Sequence, residues 1–184
     1  MRRRSSPLRT ATGNVIHIDE VVPSSDKWLD QLLKRPAHLI RRAYQIAMAL
    51  YIEETHGLGV TQLQYVILRA IHHYPGCSQR RLSELAAVDR TTVGWVVSNL
   101  ERKGLVRRIA APGDRRLKHL ALTDLGLGKL KTVNSCTPRI QKRILKPLTV
   151  SERKAFMRYL RKIVLANNAY SRAPLRPITE MAEA

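Results

Sequence analysis

From Trp28 onward the apolar positions Leu29, Leu32, Leu33, Leu39, Ile40, Ala43, Ile46, Ala47 and Leu50 recur three and four residues apart, the period of a helix with one wet side. Pro36 interrupts this run and fits a first helical turn, so the main helix is expected to begin near Arg35 and to end at "HGLGV". At Thr61 the spacing Thr-x-x-Gln spells a capping box, and Leu63, Val66, Ile67, Ala70 and Ile71 form the expected buried stripe of a helix closed by Pro75 and Gly76. Ser78 suits the N-cap of a short helix with Leu82, Leu85 and Ala86 inward. Asp89 caps the next helix, which runs to about Lys103 before Gly104 stops it. Two short helices joined through Ala87, Val88 and Asp89 predict a helix-turn-helix.

After Gly104 the period changes. "LVRRIA" and "LKHLALT" read as strands around "APGDRR", whose Pro, Gly and Asp suit a turn, so a charged hairpin is expected directly after the helix-turn-helix, in the position of a wing. A long helix is expected from Thr123 to about Lys146, interrupted at Pro138. A last helix starts at the Thr149 capping box and carries Phe156, Tyr159, Leu160, Ile163 and Val164 on one stripe. Residues 1–27, rich in Arg, Ser, Pro and Thr without periodicity, read as a mobile basic arm, and 171–184 as a flexible tail.

The helix after Asp89 poses a question. Val93, Val96, Val97 and Leu100 share one face, while Thr91, Thr92, Trp95, Ser98, Asn99 and Arg102 share the other, so the large indole of Trp95 falls on the wet side. A face of Thr, Ser, Asn and Arg carries the donors and acceptors that match base edges and phosphates in a major groove, where each good bidentate base contact discriminates by about 1–3 kcal/mol. Trp95 fits that surface: its ring can lie on thymine methyls or sugars and its N–H can reach a phosphate. Arg80, Arg81, Arg90, Arg107 and Arg108 are candidate phosphate contacts, joined by Ser78 and Gln79 at the start of the preceding helix. In the wing, Asp114 can stiffen the turn while Arg115 or Arg116 enters a minor groove.

Charge strengthens this reading. Thirty-three Lys and Arg against fourteen Asp and Glu give +19, an excess best explained by an acidic polymer as partner, nucleic acid first and an anionic membrane surface second. No apolar run approaches the roughly 18 residues of a membrane span, and no h-region follows the first arginines, so a cytoplasmic protein is expected. Cys77 and Cys136 give neither a disulfide framework nor metal-ligand spacing. Cys77 beside a Pro-Gly turn leaves a thiol-based sensor open, provided the thiol is accessible and of low pKa. No nucleophile with a base, carboxylate pair or phosphate-binding Gly loop is evident, so no enzyme, cofactor or metal is expected.

"LSELAAVDRTTVGWVVSNLERKGLVRR" followed by "PGDRRLKHLALTDLG" resembles the MarR family of winged-helix transcription regulators, with likeness over roughly residues 30–168. Gly94 and Trp95 depart from the family's usual small hydroxyl and polar or basic residues. The resemblance implies a mainly α fold with a small β-hairpin, a winged helix-turn-helix lobe at 58–122, a first dimerisation helix at 28–57 and C-terminal dimerisation helices at 123–170. It implies a homodimer on a pseudo-palindromic operator, with half-sites about 34–36 Å apart, and a small aromatic anionic effector. His38, Arg41, Arg42, Tyr44, Tyr65, His72 and His73 supply the cations, donors and ring surfaces that a carboxylated ring needs. The stretch around them looks most like members that govern breakdown of aromatic acids. A sequence-tolerant architectural DNA binder is the competing reading that charge alone would permit.

Overall fold

The computed structural model describes residues 8–9, 15–16, 27–111 and 114–176, with side chains omitted for the two N-terminal strands, 111 and 114–118. The elements are strands β1 (Leu8–Arg9) and β2 (Val15–Ile16), helices α1 (Lys27–Leu33), α2 (Pro36–Glu54), α3 (Gln62–His73), α4 (Gln79–Ala86) and α5 (Arg90–Arg102), strands β3 (Val106–Ala111) and β4 (Asp114–Leu122), and helices α6 (Asp124–Ile144) and α7 (Val150–Ala166), with a 3-10 turn at Asn168–Tyr170. The chain divides into two compact units, one formed by residues to Glu54 with Arg139–Arg158, the other by Thr55–Pro138 with residues from Tyr159.

In the second unit the winged helix-turn-helix is built around Ile67, Leu68, Ile71, Leu82, Val93, Val96, Val97, Leu100 and Leu120, all buried. The inward face of α3 is wider than its apolar stripe predicts: Gln64 and Tyr65 are buried beside Ile67, Leu68 and Ile71, while Leu63, Val66 and Ala70 are half-buried. Thr61 and Gln64 form the expected reciprocal capping box. β3 and β4 pair antiparallel from Val106↔Leu122 to Ala111↔Asp114, with an irregularity between Ala110 and Ala111. The segment after α3 joins them, since Gly76 N–H donates to Leu120 O (3.0 Å) and Leu120 N–H to Cys77 O (3.1 Å).

The junction from hairpin to α6 requires a glycine. Thr123 Oγ1 donates to Gly104 O (2.6 Å) and accepts from Gly126 N–H (3.0 Å), drawing α6 onto the backbone of Leu105. A Cβ on Gly126 would clash with the Leu105 carbonyl.

As expected α6 runs through Pro138, whereas the expectations for the tail and the arm change. Proline removes the N–H that would serve Asn134 O, and Thr137 Oγ1 donates to that carbonyl instead (2.9 Å). The tail is anchored as far as Arg176, because Asn168 bonds the Leu175 main chain twice and Arg176 N–H reaches Glu84 O; residues 177–184 lie outside the described residues. The arm contains a two-residue ladder, Leu8↔Ile16 and Arg9↔Val15, and its remainder to 26 is outside them too.

In the first unit Glu53 and Glu54, at the end of α2, clamp onto α6. Arg139 Nε donates to Glu54 Oε2 (2.8 Å), and Arg143 donates to Glu54 Oε1 and Glu53 Oε2 (2.9 Å each). Arg153 Nε ties α7 back by donating to the carbonyls of Leu145 and Leu148.

Candidate nucleic-acid interface

The site is assembled on α5. Asp89 Oδ1 accepts the Thr92 N–H (2.9 Å), satisfying a donor that the helix start leaves open; this bond holds the Asp89 carboxyl below its ordinary range. With Val93, Val96, Val97 and Leu100 sealed in the core, the opposite face is fixed outward. On it Trp95 is 66% exposed, with Arg90, Thr91, Ser98 and Arg102 exposed beside it and Thr92 half-buried. Among the described residues the hairpin does not cover the indole.

Asn99 is a correction. It sits at the edge of the buried face, and its Oδ1 accepts from Gln64 Nε2 of α3 (3.0 Å). Gln64 Oε1 accepts in turn from Thr61 N–H and from Lys103 Nζ (3.2 Å), which also donates to Gly59 O (2.7 Å). Asn99 and Lys103 therefore fasten the end of α5 to the start of α3. Sequence reasoning took Gln64 only as half of a capping box; its remaining amide capacity was the available signal.

The arginines sort by partner. Arg81 Nη1 donates to Glu84 Oε2 (2.8 Å), which chiefly holds the Glu84 carboxyl below its usual range. Arg80 lies 3.7 Å from the same carboxylate with its side chain largely in solvent. Arg108 turns onto α5, with Nε 3.5 Å from Glu101 Oε2 and Nη2 donating to Ser98 Oγ (3.3 Å), so it braces the hairpin root instead of standing free for phosphate. Arg107 is exposed on the adjacent register position. Ser78 Oγ accepts the Arg81 N–H as the cap of α4, and Gln79 approaches Gly94, where an added Cβ would find its Nε2 at 3.9 Å. Asp114, Arg115 and Arg116 lie on β4, with side chains outside the described residues.

The candidate effector residues divide between the units. His38, Arg41, Arg42 and Tyr44 are on α2, with His38 half-buried, the other three exposed, and Arg42 bonded to Gln45 (3.0 Å). Tyr65, His72 and His73 are on α3 in the other unit. The buried Tyr65 hydroxyl donates to Asn134 Oδ1 (2.9 Å) and accepts from Arg69 Nη1 (3.5 Å), so a ligand reaching it must replace those bonds. Arg69, which sequence reasoning passed over, lies 5.8 Å from the Tyr65 ring centre. His72 and His73 are exposed, their rings edge to face at 5.7 Å. Among the described residues no three His, Cys, Asp or Glu side chains gather as a metal set.

Cys77 is buried, at 9% exposure, as a structural thiol would be, and burial pushes its thiol up. A peroxide sensor needs the opposite, an accessible thiolate.

A profile of the MarR family matches residues 60–118. Over 127 residues the chain is 32% identical to the transcriptional repressor NicR of Pseudomonas putida, spanning 69% of this chain and 80% of NicR. The chain belongs to the MarR family. This MarR protein is similar in structure to the PcaV regulator of Streptomyces coelicolor in complex with its natural ligand, with TM-score 0.68 and 33% identity over 73% of this chain and 95% of PcaV. It is also similar to Bordetella bronchiseptica BpsR, whose DNA binding is regulated by 6-hydroxynicotinic acid, with TM-score 0.67 and 28% identity over 71% and 93% of the two chains. The winged helix-turn-helix is thus that of a transcriptional regulator, and no helix among the described residues is long and apolar enough to cross a membrane.

Proposed function

We propose that this MarR protein is a homodimeric repressor that reads a pseudo-palindromic duplex operator through α5 and leaves it when a small aromatic anion binds. The observation that carries the reading is the exposed polar face of α5 centred on Trp95, in the position where a helix-turn-helix presents its second helix to the major groove. Arg90, Thr91, Thr92, Trp95, Ser98 and Arg102 face the groove in this reading. Ser78, Gln79, Arg80 and Arg107 approach the backbone, and Asp114, Arg115 and Arg116 carry the wing tip.

The effector class follows from likeness to BpsR, whose regulator is a hydroxylated pyridine carboxylate, and from the Arg, His and Tyr side chains of α2 and α3. Such a ligand releases DNA only if it binds the DNA-free conformation more tightly, typically by about 1–3 kcal/mol. Two experiments test the proposal. The first selects duplexes from a random pool and titrates the selected and scrambled sequences at rising salt. A repressor keeps a large preference for the selected duplex, whereas an architectural binder shows little preference and loses both with salt. The second screens hydroxylated benzoates, pyridine carboxylates and aryl coenzyme A thioesters by thermal shift. A true effector raises the melting temperature and weakens the selected complex; a panel that does neither removes the effector class.

A further inference from the structure

We propose that residues Asn168–Arg176 form a strap that holds the helix-turn-helix in its DNA-reading conformation, which makes Asn168 a positioning residue for operator recognition. The inference rests on the reading of α5 as the DNA-reading helix.

The strap begins two residues beyond α7. Asn168 Nδ2 donates to Leu175 O (2.9 Å) and Asn168 Oδ1 accepts the Leu175 N–H (2.8 Å), so one side-chain amide pairs with a residue's main chain as a neighbouring strand would. Ala173 N–H donates to Ser171 Oγ (3.2 Å) within the loop so closed, and Ala173 and Pro174 are half-buried. The clasp delivers the next residue, Arg176, whose N–H donates to Glu84 O (3.2 Å).

That carbonyl lies at the turn of the helix-turn-helix. Ala87 adopts a left-handed conformation, φ 51°, and is the one residue other than glycine with positive φ among the described residues. This reversal sends the N–H groups of both Ala87 and Val88 to Ser83 O. In a continuing helix Val88 N–H would serve Glu84 O. Arg176 takes its place. The turn that sets the angle of α5 is therefore closed from outside by a main-chain bond from the tail, next to an alanine held where L-residues rarely stay. The Glu84 carboxyl is held low chiefly by Arg81, with smaller contributions from Arg80 and from Arg176 of the strap.

The test uses the full chain and two duplexes, the one that wild type selects from a random pool and a scrambled control. Arg176→Pro deletes the N–H and Arg176→Ala keeps it. Asn168→Ala opens the clasp at its other end, and Asn168→Asp keeps the acceptor for Leu175 N–H. Loss of one such bond should weaken the selected complex about three- to tenfold in Arg176→Pro and Asn168→Ala, with scrambled binding unchanged, so that the preference itself falls. Arg176→Ala should keep the preference that Arg176→Pro loses, and Asn168→Asp should recover part of it. Hydrogen exchange at Val88 and Asp89 should quicken in Asn168→Ala, a reading that stands even where Arg176→Pro fails to fold. Unchanged preference and exchange in Asn168→Ala overturn the strap, as does Arg176→Ala matching a folded Arg176→Pro, which would assign the effect to the guanidinium. A wild-type chain that selects no sequence overturns the DNA reading instead.

Discussion

Two residues of one helix, the exposed Trp95 and the Gln64-bonded Asn99, separate the proposed contact with DNA from the support beneath it. Truncating Trp95 removes an exposed ring that supports nothing in the core, so Trp95→Ala should leave the melting temperature nearly unchanged. It should weaken binding to the selected duplex about tenfold or more and shift base preference, since loss of a good base contact costs about 1–3 kcal/mol. Asn99→Ala should do the reverse, leaving the Gln64 amide without its partner at a cost of about 1 kcal/mol and lowering the melting temperature with little change in base preference. Anisotropy titrations beside thermal unfolding check both; Trp95→Ala with wild-type affinity would remove the indole from the interface. The periodicity around Val93, Val96, Val97 and Leu100 was enough to place Trp95 outward. It could not place Asn99, because the residue that turns it inward is Gln64 on another helix, and pairing over that sequence distance is tertiary. The bond from the Tyr65 hydroxyl to Asn134 lies beyond periodicity for the same reason, its partner being 69 residues away.

At the scale of elements, local signals were strong where they were chemical. Both capping boxes form as read, at Thr61 with Gln64 and at Thr149 with Glu152, and the Asp89 cap and Gly104 stop bound the following helix as expected. The long helix runs through Pro138 as read, and the bond from Thr137 Oγ1 that replaces the missing one is visible only in three dimensions. The glycine of the Leu-Thr-x-x-Gly start has a testable role: Gly126→Ala forces a methyl into the Leu105 carbonyl and should cost about 1–3 kcal/mol as overpacking does, although alanine is the better helix former. A more stable variant would show that α6 can shift away. The α2–α6 clamp adds a pH signature. Bonds from Arg139 and then Arg143 hold the Glu54 carboxyl below its ordinary value, so the unfolded chain takes up that proton first as the pH falls. Stability from this pair is therefore complete above about pH 4.3 and disappears as the pH drops through the lower folded value. Glu54→Gln should flatten this part of the acid unfolding curve, measured by circular dichroism.

The whole molecule carries +19, which repels a second copy, yet two of its helices expose rows of apolar side chains. On α2 the exposed residues include Leu39, Ile40, Tyr44, Ile46 and Ile52, and on α7 Phe156, Met157, Tyr159, Ile163, Val164 and Leu165, the latter including most of the stripe read from sequence on the last helix. Single exposed apolar residues are ordinary, but runs along two helices mark an interaction surface. A twofold dimer formed through them would link two copies of α5, so that the second half-site is bound at high effective concentration. Ile163→Glu, at 48% exposure and distant in sequence from α5, should give a folded monomer by light scattering. Its affinity for the selected duplex should fall about a hundredfold or more, the avidity lost with the link, and its salt slope should fall with the number of phosphates contacted. If the variant stays dimeric, α7 is not at the interface. If it becomes monomeric and binds as tightly as wild type, the two half-sites are not read together, and the dyad has no part in recognition.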